Sequence, residues 1–364
     1  MKSHRPCMVF ILVWLSLILL GFSMGWSQTK PEERFKGETL IVTTWSGPYE
    51  KSFRTVFVDP FEKQYGVKIE LVPGWYEFIP KILSAPKGQP PYDVFLATDR
   101  SIIQVKTHLE KLRRENIPNF QRMWDYTKEL DGFKNNLGAP FDSGFMTMAF
   151  RSDLIKFNPT SWKDFTRPDL KKLVSFDSVF FWNLYPGGYI ADRVDKKGKV
   201  VLEPIDPIYK KMEEIASTNI YKWYGSGAEF VSLLERGEVH GGYGWSGSLY
   251  LQKAKGMKLL LVIPKEGTVA YVDYLCVLQG TKKRDLAEFF INYCLSEEPM
   301  TRFVELQKNS VSNKNVKIPA ELKGTVLGSE AEWEKLQLVD WDYVMPRWKE
   351  LEERWKKEVL PLVK

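Results

Sequence analysis

Cysteine and histidine are scarce in this chain, three of each in 364 residues. Cys7 and His4 belong to an opening segment that reads as removable, which leaves Cys276, Cys294, His108 and His240 far apart in sequence. Scattered soft ligands do not make a zinc site, and nothing in the sequence asks for a metal or another cofactor. Cys276 falls in an apolar strand-like run and Cys294 in a helix-like one, so two buried thiols are expected ahead of a disulfide between them. Charge of one sign is lacking too. The formal balance is +6, falling to +4 when Lys2 and Arg5 are removed, and the basic residues are scattered, so no nucleic-acid face is expected. Repeats and low-complexity tracts are missing as well.

A glycine-rich phosphate loop is also missing where one would be looked for. The first strand-to-helix corner reads "LIVTTWSGPYEKSF" and carries Trp45 and Tyr49 instead of a run of glycines. Further on, Gly242, Gly244 and Gly247 in "GYGWSG" satisfy G-x-G-x-x-G, with Glu266 about 20 residues later. Bulky Tyr243 and Trp245 at its variable positions, and its distance from the first strand, argue against a dinucleotide site. "GWSGS" misses the serine-hydrolase elbow because Ser248 stands where the last glycine belongs. Carboxylates such as Asp142 and Asp273 could serve a glycosidase, and although nothing in the sequence fixes their separation, an exported enzyme stays as the alternative class.

What is present begins with an export signal. Lys2 and Arg5 precede an apolar run from Met8 to Leu20, small residues follow, and cleavage is expected after Ser27. A retained anchor is the rival reading, because no charge occurs from Met8 to Trp26. Cys7 precedes the apolar run, which does not fit a lipid-modified cysteine at a cleavage point.

From residue 38 onward, strand-like and helix-like segments alternate, as in an α/β protein, and the length exceeds what one ordinary core supports. The helix expected from Pro48 to Tyr65 is closed by Gly66 and kinked or split at Pro60. Two long extended runs, Leu137 to Arg151 and Thr268 to Leu278, could carry the chain out of one lobe and back. The expected organisation is a signal peptide at 1–27, a discontinuous first lobe at 38–141 and 274–328, a second lobe at 142–273, and C-terminal helices at 329–364. Those helices open on a capping pattern at Ser329 and Glu332 and carry Trp341, Val344, Trp348, Leu351, Trp355 and Val359 at helical spacing, a stripe expected to pack on the lobes.

Turns and strand ends repeatedly hold Trp, Tyr, Ser and Asp: "TWSGPY", "ATDRS", "PFDSG", "GYGWSGS" and "AYVDY". Aromatic faces attract a cation by about 0.5 to 2 kcal/mol each and carboxylates supply its counter-charge, so an organic amine fits the set. Each residue alone has a plain structural use as a plug or a cap; their recurrence at strand ends points to a shared ligand.

With "LIVTTWSGPYEKSF", "PFEKQYGVKIE", "PYDVFLATD", "PTSWKDF", "GYGWSGS", "IPKEGTVAYVDY" and "AEFFINYCLSEE", the chain resembles the extracellular solute-binding proteins of ABC importers. The resemblance is to the spermidine/putrescine-binding branch and its thiamine- and ferric-iron-binding relatives. It implies a two-lobe type II periplasmic-binding-protein fold with two hinge crossings, no catalysis, and delivery of a solute to a membrane permease from the periplasm or cell surface. A monomer is expected. Trp45 and Tyr49 match the first-lobe aromatics, Trp245 the second-lobe stacking tryptophan, Tyr271 an aromatic wall and Asp273 the carboxylate that holds an amine. Ser248 stands where polyamine binders commonly place an acid, "FDSVFFWNLY" replaces an expected acidic stretch and leaves Asp177 as the nearest acid, and the adjacent tyrosines of ferric binders are missing. "PFDSG", with Asp142, and Asp99 in "ATDRS" resemble the thiamine-binding relatives. Ser46 and Ser226 complete the expected ligand-binding set. A small organic cation is the expected solute, a polyamine ahead of thiamine.

Amino-terminal sequencing of the secreted protein is expected to begin near Gln28. A mature chain that starts at Met1 would overturn the signal assignment.

Overall fold

A computed structural model describes residues 33–75, 77–323 and 325–363. The export segment lies outside these residues. Among them, no helix is long and apolar enough to cross a membrane.

The strands are β1 (Thr39–Trp45), β2 (Lys68–Gly74), β3 (Val94–Thr98), β4 (Ala139–Arg151), β5 (Val174–Asp177), β6 (Ile220–Tyr224), β7 (Gly241–Trp245), β8 (Leu259–Val262), β9 (Thr268–Val277), β10 (Ser310–Val311) and β11 (Leu336–Leu338). They join in the order β2-β1-β3-β9-β4-β7-β5-β6, with β8 and β10 beside β4 and β11 beside β9. Parallel pairing of β1 with β2 and β3 follows from the helices between them, since parallel neighbours need a crossover. β4 and β9 belong to both halves. Ala139 to Phe145 of β4 pair with β9, and Met146 to Phe150 pair with β7, so the chain leaves the first lobe along β4 and returns along β9.

Each lobe has its own core. The first is built around Phe53, Phe57, Phe61, Phe141, Phe290 and Phe303, with a further layer holding Phe78, Phe95, Tyr274 and Trp333. The second packs Trp162, Phe176, Tyr185, Tyr209, Tyr243 and Trp355, with a small satellite around Tyr224 and Phe230. Cys276 and Cys294 are both buried free thiols in different layers, and burial raises both well above the ordinary thiol range.

The helix expected over 48–65 is split ahead of Pro60. The segment runs as Pro48–Phe53, a wider π turn at Arg54–Val58 and Asp59–Tyr65, so a widened turn precedes the proline, whose missing N–H leaves an i−4 carbonyl without its bond. Gly66 closes it at φ 64°, in the left-handed region. The glycines of "GYGWSG" serve close packing. A Cβ on Gly242 would lie 2.1 Å from the Ser175 carbonyl oxygen, and one on Gly247 would lie 2.4 Å from Asn309 Oδ1.

The carboxy-terminal segment differs from the expectation in two ways. Ser329 does not cap a backbone N–H; its hydroxyl bonds the Glu332 carboxylate at 3.0 Å, and that carboxylate accepts the Gly328 N–H. The chain also crosses between the lobes a third time. β11 pairs with β9 in parallel and Leu336 packs in the first lobe, whereas Val339, Trp341, Val344, Leu351, Trp355 and Val359 are buried in the second. Tyr209 donates to the Leu351 carbonyl at 2.6 Å, and Trp355 donates to the Ser178 carbonyl at 3.1 Å.

Trp355 is almost wholly enclosed and rests on Tyr209 and Trp223. Trp355→Ala is expected to lower stability by about 3–5 kcal/mol, read as a shifted denaturant midpoint. A loss well below 1 kcal/mol would mean that the segment is an accessory rather than part of the second core.

Candidate functional site

Between the lobes lies a cavity of about 730 Å³. Its floor is made where strand ends of the first lobe meet the crossing strands. Trp45 ends β1 in register with Gly74 at the end of β2, so the next residue, Trp75, stacks on the Trp45 ring at 5.7 Å and 15°. Gly47, at φ 88°, turns the chain, and Pro48 opens the helix that carries Tyr49 inward. On β9, Tyr271 and Asp273 are two residues apart and therefore share a face. Asp273 pairs in register with Thr98, so Asp99 follows at the same edge.

The second lobe supplies the opposite wall. Trp245 ends β7, and the helix Ser246–Ala254 brings Ser248 to the mouth. Ser226 caps the helix Gly227–Glu235 by accepting from the Glu229 N–H, and it too is exposed at the mouth. Ser46 lies half-buried on the first-lobe side. Of the ten residues expected from sequence, nine line the cavity; Asp142 does not.

Asp142 stands directly behind the floor, where the β4–β9 register shifts between Pro140 and Ser143. Its Oδ1 accepts from the Tyr49 hydroxyl at 3.2 Å and its Oδ2 from Asn309 Nδ2 at 2.7 Å. Asp273 Oδ2 accepts from Trp45 Nε1 at 2.8 Å, while its Oδ1 is buried and takes no hydrogen bond from an N–H or hydroxyl. Asp99, half-buried on the wall, accepts from Trp341 Nε1 at 2.5 Å. Among the described residues, no lysine or arginine lies within 4 Å of these three carboxylates as an ion pair. Arg100 places its guanidinium 4.6 Å from the Trp348 ring, and Lys255 is exposed at the mouth.

Burial governs the protonation of these acids, and the Arg100 guanidinium offsets it in part at Asp99. It pushes Asp142 up to about 6 despite its donors, and Asp99 up to about 6 despite Trp341. Asp273 is raised further above the usual carboxylate range, first by burial and then by the charge of Asp142. The pair resists holding two negative charges.

Several wall residues were not read from sequence. Trp182 comes from the helix Phe180–Ile190, whose "FFWNLY" has no periodicity of a site, and Trp341 belongs to the carboxy-terminal stripe while also reaching Asp99. Trp75 and Asn309 lie in short loops that carry no motif. Asp177 lies outside the cavity wall, its carboxylate accepting the Val179 N–H.

Two α/β lobes around an aromatic cleft, linked by long crossing strands, define a two-lobe binding protein. Residues 57–327 match the bacterial extracellular solute-binding protein family, and the chain belongs to it. The chain is similar to the spermidine/putrescine-binding periplasmic protein of Salmonella typhimurium, 25% identical over 251 residues that cover 65% of this chain and 68% of that one. It is similar over a longer span to the gamma-aminobutyric acid-binding protein of Pseudomonas aeruginosa, 23% identical over 348 residues, or 88% and 90% of the two chains. A spermidine/putrescine ABC transporter substrate-binding protein from Streptococcus pneumoniae shares the fold with a TM-score of 0.75 at 18% identity, over 88% of this chain and 99% of that one. The protein is thus a solute-binding protein and not an enzyme, which removes the glycosidase alternative for Asp142 and Asp273.

Acids with raised folded-state values bind protons on folding, so their contribution to stability is complete below the unfolded value near 3.8 and is lost as pH rises through about 6 and above. The ligand-free protein is expected to lose stability between about pH 5 and 8 relative to Asp273→Asn. The difference between the two proteins cancels His240, whose burial-lowered value acts with the opposite sign. Denaturant midpoints at both pH values check this, and a gap that fails to widen with pH would overturn it.

Proposed function

We propose that this protein captures a small organic cation in the interlobe cleft and presents it to the permease of an ABC importer at the outer face of the cell membrane. One observation carries the reading: the buried Asp273 carboxyl, set against Asp142 at the floor of an aromatic cavity and in no ion pair with a lysine or arginine among the described residues. A cation placed there gains a carboxylate and aromatic faces together. The polyamines named for the Salmonella relative are the first candidates, and thiamine follows from the likeness of "PFDSG" and "ATDRS".

Closure is the mechanism. Trp45, Tyr49 and Asp273 approach the solute from the first lobe and hinge, and Trp182, Trp245 and Ser248 from the second. A solute that touches both sets favours the closed state, because only that state makes both sets of contacts. Binding also couples to protons. A cation stabilises the ionised form of Asp273, so the complex holds fewer protons than the empty site and affinity rises with pH.

A thermal-shift screen of amines, thiamine, sugars and anions identifies the solute, since a ligand of the folded state raises the melting temperature. For the cation so found, Asp273→Asn is expected to cost about 1.5–3 kcal/mol of binding and to flatten its pH dependence, read by titration calorimetry. Unchanged affinity in the folded variant, or tight binding of an anion by the wild type, would overturn the cation reading.

A further inference from the structure

We infer that the solute presents an N-alkylated ammonium head, tertiary or quaternary, to the box formed by Trp182, Trp245, Tyr271 and the Asp273 carboxylate. The inference rests on the cation reading above and narrows its chemistry.

The first ground is the arrangement of the rings. Trp182 and Trp245 meet at 4.8 Å with planes 79° apart, and Trp245 and Tyr271 meet at 5.0 Å with planes 78° apart. Successive perpendicular rings turn a corner and make adjoining walls. Such walls surround a rounded group, whereas a flat ring or an extended chain is better held between parallel faces. The parallel pair in the cleft, Trp45 and Trp75, is stacked on itself.

The second ground is the supply of hydrogen-bond acceptors. A primary ammonium brings three N–H donors into the site, and each one left unpaired costs desolvation. At the floor, Asp273 Oδ2 already accepts from Trp45, and both Asp142 oxygens accept from Tyr49 and Asn309 behind the cavity wall. Thr98 Oγ1 is engaged by Ser101, and Ser226 caps its helix at the mouth. Asp273 Oδ1 is buried and accepts from no N–H or hydroxyl, and its carboxyl lies within hydrogen-bond reach of Asp142; Asp99 and the Ser46 and Ser248 hydroxyls stand further out along the wall. A floor with so few open acceptors suits the single N–H of a tertiary ammonium, or the bare charge of a quaternary one, better than three N–H donors.

The third ground is where the charges lie. Asp99 and Asp142 both act on Asp273 at a single pole of the cleft, where the Arg100 guanidinium, held over Trp348, is the nearby positive charge on Asp99. The opposite wall offers Ser226, Ser248 and Gln252 with Lys255 at the rim, and no carboxylate. A polyamine carries an ammonium at each end and would leave one of them facing hydroxyls and a lysine. A single charged head with a neutral tail matches both poles.

Titration calorimetry on the purified protein with ethanolamine, N,N-dimethylethanolamine, choline and 3,3-dimethyl-1-butanol, the uncharged carbon analogue of choline, separates the possibilities. Choline or the dimethyl amine is expected to bind about tenfold or more tightly than ethanolamine, the scale of one to two cation–π contacts. Trp182→Leu is expected to lower the affinity for choline by a larger factor than that for ethanolamine, a difference that a merely misfolded variant would not produce. Ethanolamine, putrescine or spermidine binding more tightly than the alkylated amines would overturn the inference and leave the cation reading in place. Binding of none of the alkylated amines would overturn it as well. Equal affinity for choline and its uncharged analogue would overturn the cation reading itself.

Discussion

Two carboxylates buried side by side, with no ion pair to a base among the described residues, are the constraint around which the cleft is organised. Asp142 and Asp273 lie on the two crossing strands, and each is restrained by a donor from the first lobe, Tyr49 or Trp45, with Asn309 as the third. Packing of this kind opposes stability, because burial disfavours ionisation and each charge disfavours the other. The fold tolerates it through geometry. The register shift in β4 turns Asp142 toward Tyr49 and Asn309, and the alternation of β9 keeps Asp273 on the cavity face with Tyr271.

The same location makes the acids sensitive to the relative position of the lobes. Gly247, at the start of a second-lobe helix, is held so close to Asn309 that a side chain there would meet its Oδ1. Asn309 in turn holds Asp142. On the other side, Trp341 is buried in the second-lobe core yet donates to Asp99 of the first, and Arg100 lies over Trp348. Both contacts join residues on either side of the cleft. A solute that draws the lobes together therefore acts on the same groups that carry the negative charge, so affinity and closure share their residues.

Much of this was legible in sequence wherever a strand ended in an aromatic or an acid. Trp45, Tyr49, Trp245 and Asp273 were readable because each follows or ends a short apolar run with strand character, and the long runs through Pro140 and Thr268 were readable as crossings because they exceed an ordinary strand. The remainder was hidden for physical reasons. Trp182 sits in a helix that is buried almost all round, so no face of it stands out as belonging to a cleft. Asn309 acts through its position after a helix C-terminus, which no local pattern marks. The third passage was obscured because Trp341 has the spacing of a core stripe and fills that role while it also reaches across to Asp99. Pro60 marked a real interruption, but its form, a π turn just ahead of the proline, is not specified by the residue pattern.

Selectivity in such a site comes as much from what it repels as from what it holds. An anion would meet a pole that already carries more negative potential than its surroundings can balance, and burial gives that repulsion little screening. A neutral solute would face aromatic walls without relieving the acids, so the cost of ionising Asp273 beside Asp142 would persist after binding. The cation proposed for this site would remove that cost while it binds. Replacing the pair by a neutral, well-bonded floor would therefore yield a more stable fold and a less discriminating cleft, which is the exchange expected where a binding site retains an unfavourable arrangement of charge.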